Sequence, residues 1–274
     1  MSRLIRLIAA VGTILGALLL ALNLAGWWVP MRAVEIDGYV DFAGEPTRTL
    51  TESLQRLDAL RQESPDRIQL VTQATRIFHD GIAHVAPADV RANGFAHYGM
   101  RVPLTENWVL YALSYVKPST YMDYEFCSYE RALERGTGRC GQQSLALVSF
   151  LSEQGIPTGF VALEGHAIAT AEVEDDTWYL LDPDYGGVIP YDIAQAEKNP
   201  AAVLSYYWSD AAQQNRIDAT YEPENEVRYG GPEARYARAC PIETLAYVFK
   251  WAMPLLLILL WPASLLLPGP RRSA

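Results

Sequence analysis

The chain has 274 residues, half of them hydrophobic, with 22 Lys+Arg against 32 Asp+Glu and a net charge of −10. That length holds one ordinary domain with additions. Setting aside Arg3, Arg6, Arg271 and Arg272 at the ends leaves 18 basic against 32 acidic residues, a net of −14. Nothing in this balance gives the basic patch that nucleic acid or an anionic lipid surface requires.

The apolar residues concentrate at the two ends. From Ile8 to Val29 the chain carries no charge, and Asn23 is its one strongly polar side chain. About 20 apolar residues in a helix cross the hydrocarbon of a bilayer. Trp27 and Trp28 fall where an aromatic belt forms. A cleaved signal peptide is the rival reading, but Trp27-Trp28-Val29-Pro30 makes a poor cleavage site. A second run, Leu245 to Leu267, contains Lys250, Pro254 and Pro262. A lysine near the start of a span can snorkel to the interface, and membrane helices tolerate proline. The terminal arginines place both tails in the cytoplasm by the positive-inside rule. The expected organisation is a tail and span over 1–30, an extracytoplasmic domain over 31–243 with its core at about 102–215, a second span over 244–268 and a tail over 269–274. A bacterial inner membrane with a periplasmic domain suits this layout.

Between the spans, residues 31–48 read as an extended connector. Apolar residues at 50, 54, 57 and 60 predict a helix over Leu50–Glu63, and Ser64-Pro65-Asp66 starts another that runs to about His84. Residues 85–100 read as a loop. Thr105 is a candidate cap for a helix ending before Pro118, and Ser128–Arg135 reads as a short helix closed by Gly136. Cys140–Gln154 has a broad apolar face and predicts a buried central helix. Strands follow at Gly159–Leu163, His166–Val173, Thr177–Asp182 and Val188–Tyr191. Asp192–Lys198 and Ala201–Gln214 read as helices, and residues 216–240 as a polar return.

The chemistry concentrates in Gly136–Gly187. A free thiol titrates near pH 8.5 and attacks as thiolate. A helix start favours negative charge through its unpaired N–H groups, and a nearby imidazole can hold the proton. Cys140 and His166 meet these two needs, and Asp182, at the end of the next strand, is the acid to orient His166. His166 and Asp182 stand directly opposite if the hairpin loop is Glu172–Asp176. A two-residue Asp175-Asp176 turn sets His166 opposite Tyr185 and weakens the arrangement. Asp184 is the fallback acid.

Gly136-x-Gly138-x-Cys140, the helix ending in Glu153-Gln154-Gly155-Ile156-Pro157, Gly165-His166-Ala167 and Trp178-x-x-Leu181-Asp182-Pro183 together resemble the transglutaminase-like superfamily. The resemblance covers about residues 127–190. It implies an α+β papain-like core, with a Cys-bearing helix packed on an antiparallel sheet and the triad at Cys140, His166 and Asp182. It also implies an oxyanion hole, with the Cys140 N–H as one donor and Trp108 or Asn107 as candidates for another. Its members include peptidases, amidases, cross-linkers and N-acyl transferases.

If Cys140 stays free, Cys127 and Cys240 are left as a candidate disulfide. His79 and His84 lack the i, i+4 spacing of a zinc-binding helix, and the Asp residues fit no calcium loop. No metal and no cofactor are expected. The expected partners are the bilayer and a peptide, peptidoglycan or surface-glycan substrate, with no nucleic acid. The rival reading is a catalytically silent domain that scaffolds envelope or surface-polysaccharide assembly.

Overall fold

The structure is a computed structural model. It describes residues 2–32, 36, 38–39, 47–63, 65–163, 165–222, 226–227 and 239–266. Most of the predicted 31–48 connector, part of the 216–240 return and the tail with Arg271 and Arg272 lie outside the described residues.

The helices and strands run in this order: α1 Ser2–Ala25, α2 Leu50–Glu63, α3 Arg67–Gly81, β1 Ala83–His84, α4 Pro87–Asn93, α5 Trp108–Val116, α6 Pro118–Tyr121 and α7 Tyr129–Arg135. Next come β2 Thr137–Gly138, α8 Cys140–Glu153, β3 Thr158–Leu163, β4 His166–Glu174, β5 Thr177–Asp182 and β6 Gly187–Ile189. The chain continues with α9 Ile193–Lys198, α10 Pro200–Val203, α11 Asp210–Gln214, β7 Glu226–Val227 and α12 Ala239–Leu265. The protein is thus α+β, with a five-stranded antiparallel sheet in the order β6-β5-β4-β3-β7.

Three expectations change. Residues 87–93 form a helix rather than loop, because Pro87 at the first helical position loses no hydrogen bond. The helix at 108 is capped by Asn107, not Thr105: its Oδ1 accepts from the N–H groups of Val109 and Leu110. The span predicted as one helix over 201–214 is broken into α10, a 3-10 turn and α11, with Ser209 capping the last.

Two units are compact by themselves. One comprises Met1–Met31, Arg101–Met122 and Pro241–Ala274. It holds the two helices that are long and apolar enough to cross a membrane by length and composition, Leu4–Ala25 (22 residues) and Cys240–Leu265 (26 residues). At 1.5 Å per residue the shorter is about 33 Å long, against about 30 Å of hydrocarbon. Gly12 and Gly16, four apart, let the two helices approach closely. A Cβ on Gly16 would lie 2.7 Å from the Pro254 carbonyl oxygen and 2.8 Å from Leu257. Asn23 is buried and donates to the Lys250 carbonyl. Lys250 is buried, and its ammonium donates to the Glu106 carbonyl. Both Pro254 and Pro262 sit inside α12.

The other unit, Arg32–Met100 and Asp123–Cys240, holds the sheet. The buried helix α8 packs on it: Leu145 shares a core cluster with Phe160, Ala162 and Ala167 of β3 and β4. One turn after Cys140, the Ser144 hydroxyl donates to the Ala167 carbonyl at 2.9 Å, and this bond sets α8 against the strand that carries His166. A second cluster packs Ile168, Leu180 and Ile189 against Val203, Ala212 and Tyr221. Cys127 and Cys240 are joined by a disulfide, and Cys140 is free.

Candidate active site

Cys140 is the first residue of α8, following an extended Arg139. A short scaffold fixes the approach to it. α7 ends on Gly136 in the left-handed region, φ 70°, where a Cβ would fall 1.8 Å from the Arg32 guanidinium. β2 then pairs in parallel with β1, Ala83 with Thr137 and His84 with Gly138. Arg135 is fully buried beneath this loop. It donates to the carbonyls of Thr137 (2.8 Å) and Tyr124 and to Gln142 Oε1 (2.7 Å), and lies over the Phe126 ring. Gln142 also bonds Phe126 through both its amide atoms, and Gln143 Nε2 donates to the Ile82 carbonyl at 2.6 Å.

His166 opens β4, and its Nε2 contacts Asp182 Oδ2 at 2.7 Å, both side chains buried. The contact forms through a register that the sequence did not suggest. The hairpin has the short Asp175-Asp176 turn, with Asp176 in the left-handed region (φ 59°), which aspartate tolerates. Glu174 pairs with Thr177, but Glu172 pairs with Trp178, so Val173 is an extra residue in β4. Without that bulge the two-residue turn would put His166 and Asp182 on opposite faces. With it, the pairing Ala169 to Leu181 continues to Ile168 beside Asp182, and His166 lies one pair further on the same face. His166 and Asp182 are therefore diagonal neighbours, a separation that long side chains bridge. The expectation that the short turn weakens the contact is overturned by the bulge.

Asp182 is held by more than His166. Its Oδ1 accepts the N–H groups of Asp184 (3.0 Å) and Tyr185 (3.2 Å), and its Oδ2 also accepts the Tyr207 hydroxyl (2.9 Å), which in turn contacts Tyr221. Burial alone would raise this carboxyl. The His166 charge and hydrogen bond, with the Tyr185 N–H and the Tyr207 hydroxyl, reverse that and hold it below the usual carboxylate range. Burial likewise disfavours a charged His166. The Asp182 charge and hydrogen bond, with a smaller contribution from Cys140, outweigh it and raise His166 well above its ordinary value. Burial and Asp182 keep the Tyr207 hydroxyl protonated, its pKa well above 10.0, so it remains a donor. The Tyr185 ring covers His166 edge-on at 5.4 Å.

With Nε2 on Asp182, Nδ1 is the ring nitrogen left for the thiol. Cys140 Sγ, a His166 ring nitrogen and an Asp184 oxygen all lie within 4.8 Å of one another. Asp184 is thus a neighbour of the site, with Oδ2 3.8 Å from His166 Nδ1 and Oδ1 2.6 Å from His84 Nδ1. His79 Nδ1 contacts the Pro183 carbonyl at 2.9 Å. Sequence reasoning weighed His79 and His84 only as a zinc pair. It missed that both hold the Asp182–Asp184 corner, and it missed Arg135, Tyr207 and Tyr221. No local pattern marks contacts about 100 residues apart.

The two oxyanion candidates lie at the start of α5. Asn107 caps α5 through its Oδ1, and the Trp108 indole N–H is turned to the Lys250 carbonyl at 3.5 Å. Both belong to the unit that contains the long helices.

The His166–Asp182 pair makes stability pH-dependent in a defined sense. His166 is raised in the folded state, so its contribution is complete below about pH 6.5 and is lost as pH rises through its folded value. Asp182 is lowered, so its contribution is complete above about pH 3.8 and is lost as pH falls through its folded value. The stability lost on replacing His166 by Asn, read from denaturant midpoints, is expected to be largest between those values and to shrink on either side.

Fold and site together define an α+β protein with a Cys–His–Asp group and two apolar helices near its ends. Comparison with protein-family models finds no match to this chain, and comparison with curated proteins finds none either.

Proposed function

We propose that the protein is a membrane-anchored thiol enzyme of the transglutaminase-like, papain-like kind, acting by acyl transfer or amide hydrolysis outside the cytoplasm. One observation carries this reading: a free cysteine at a helix start beside an imidazole whose other nitrogen is held by a buried, four-times-bonded carboxylate. His166 Nδ1 accepts the Cys140 proton, and the sulfur attacks the carbonyl carbon of an amide or ester. The C–S bond forms as the carbonyl electrons move to oxygen. Their return expels the leaving amine or alcohol, which takes the proton from His166. Water or an amine then attacks the thioester, His166 accepts its proton, and Cys140 is released as the thiol. The Cys140 N–H, first in its helix and without an intrahelical acceptor, is the donor suited to the oxyanion.

The Cys127–Cys240 disulfide supports an oxidising, extracytoplasmic compartment. The compartment makes peptides, peptidoglycan stems and surface glycans the substrates to screen first. The test is a turnover screen of full-length protein against Cys140→Ala, with thiol labelling near pH 6. Turnover that vanishes in the variant, with fast labelling in the wild type, supports the enzyme. Labelling at the rate of an ordinary thiol and no turnover would leave only the scaffold reading.

A further inference from the structure

We propose that Cys140, His166 and Asp184 form a binding site for a thiophilic divalent cation, with zinc as its representative. Their donor atoms lie within 4.8 Å of one another. Around a tetrahedral ion with bonds of about 2.0–2.3 Å, such atoms stand roughly 3.4 Å apart. An inward shift of about an ångström therefore closes the site, and His166 Nδ1 and Asp184 Oδ2, at 3.8 Å, are close to it already.

The groups behind the donors are in place. A metal-bound histidine characteristically gives its other nitrogen to a carboxylate, and a bound carboxylate is itself hydrogen-bonded. Here His166 Nε2 is on Asp182, and Asp184 Oδ1 is on His84. Both arrangements leave the remaining donor atom of each residue toward the thiol. A sulfur, nitrogen and oxygen set suits zinc over magnesium or calcium. Thiolate and carboxylate together balance the double charge, and Cys140 is partly exposed, which gives the ion a way in. Three protein ligands leave the fourth position to water. Binding releases one proton, from sulfur or from Nδ1, whichever holds it.

An ion so placed occupies the Cys140 lone pair. On the thiol-enzyme reading, on which this clause rests, it would be a reversible block of the nucleophile. This is distinct from the role of Asp182, which faces the opposite nitrogen.

The experiment uses full-length protein in detergent, stripped of metal, with zinc ion titrated against a chromogenic chelator. One ion per chain is expected, lost in Cys140→Ala and weakened at least about tenfold in Asp184→Asn and in His84→Ala. Saturating zinc should also slow labelling of Cys140 at least tenfold, with EDTA restoring the rate. Binding of one ion by Cys140→Ala with wild-type affinity would overturn the site. So would wild-type affinity in a folded Asp184→Asn, or a labelling rate indifferent to zinc. Labelling and turnover measured in EDTA judge the enzyme reading separately, so either idea can fail alone.

Discussion

Asp182→Asn is expected to slow labelling of Cys140 near pH 6 by about tenfold and turnover of any acyl substrate by about 10⁴-fold, the scale seen when an orienting acid is made neutral. The backbone decides the outcome. The N–H groups of Asp184 and Tyr185 both point at Oδ1, so an asparagine there keeps its oxygen on them and turns its NH₂ toward His166. That NH₂ donates to Nε2 and drives the ring proton to Nδ1, the nitrogen that must accept from the thiol. The labelling effect follows because the sulfur reacts as thiolate, and an imidazole that already carries its proton on Nδ1 can no longer accept the thiol's. Labelling in EDTA at matched pH checks the prediction, and an unchanged rate in a folded Asp182→Asn protein would remove Asp182 from the mechanism.

Arg135→Met is expected to be the costliest single change to stability, about 3–5 kcal/mol. Methionine fills much of the volume but donates nothing. The Thr137 and Tyr124 carbonyls lose the donor that the guanidinium supplies, and each such buried acceptor costs about 1–3 kcal/mol. Gln142 Oε1 keeps the Phe126 N–H and adds less. A fall of about 10 °C in melting temperature corresponds, at about 2–4 °C per kcal/mol for a domain of this size. Arg135→Lys should recover only part of the loss, because an ammonium does not reproduce the planar fork that reaches three acceptors. Thermal denaturation of both variants separates these outcomes. A loss below 1 kcal/mol in the methionine variant would show that the loop before Cys140 is held by other means.

The sequence was most informative where one stretch of chain determines its own structure. α8 and β5 follow from an apolar face between Cys140 and the Gly155-Ile156-Pro157 stop, and from Trp178–Leu181 ending on Asp182. Ser128 and Gly136 mark α7 because cap chemistry is local. Contacts between distant residues were not legible. His84 reaches Asp184 across 100 positions, and Tyr207 reaches Asp182 from a segment with no pattern of its own. Residues 85–100 read as a loop, yet Pro87 starts a helix there. Asn107 and Trp108 differ from each other. The α5 cap uses Asn107 Oδ1 and not the amide NH₂ that an oxyanion would need, whereas the Trp108 N–H is turned to the Lys250 carbonyl.

The extra residue at Val173 gives the hairpin a counting rule. Along a strand, odd and even positions belong to different faces, so the chemistry depends on the register beyond the bulge as much as on residue identity. Deleting Val173 would let the Glu172–Trp178 pair follow Glu174–Thr177 directly, leaving Ala169 opposite Leu181 and His166 on the face of its acid. A one-residue deletion between His166 and Ala169, by contrast, should silence the protein, because it moves His166 to the other face; the bulge is where the sheet can absorb a change of one residue.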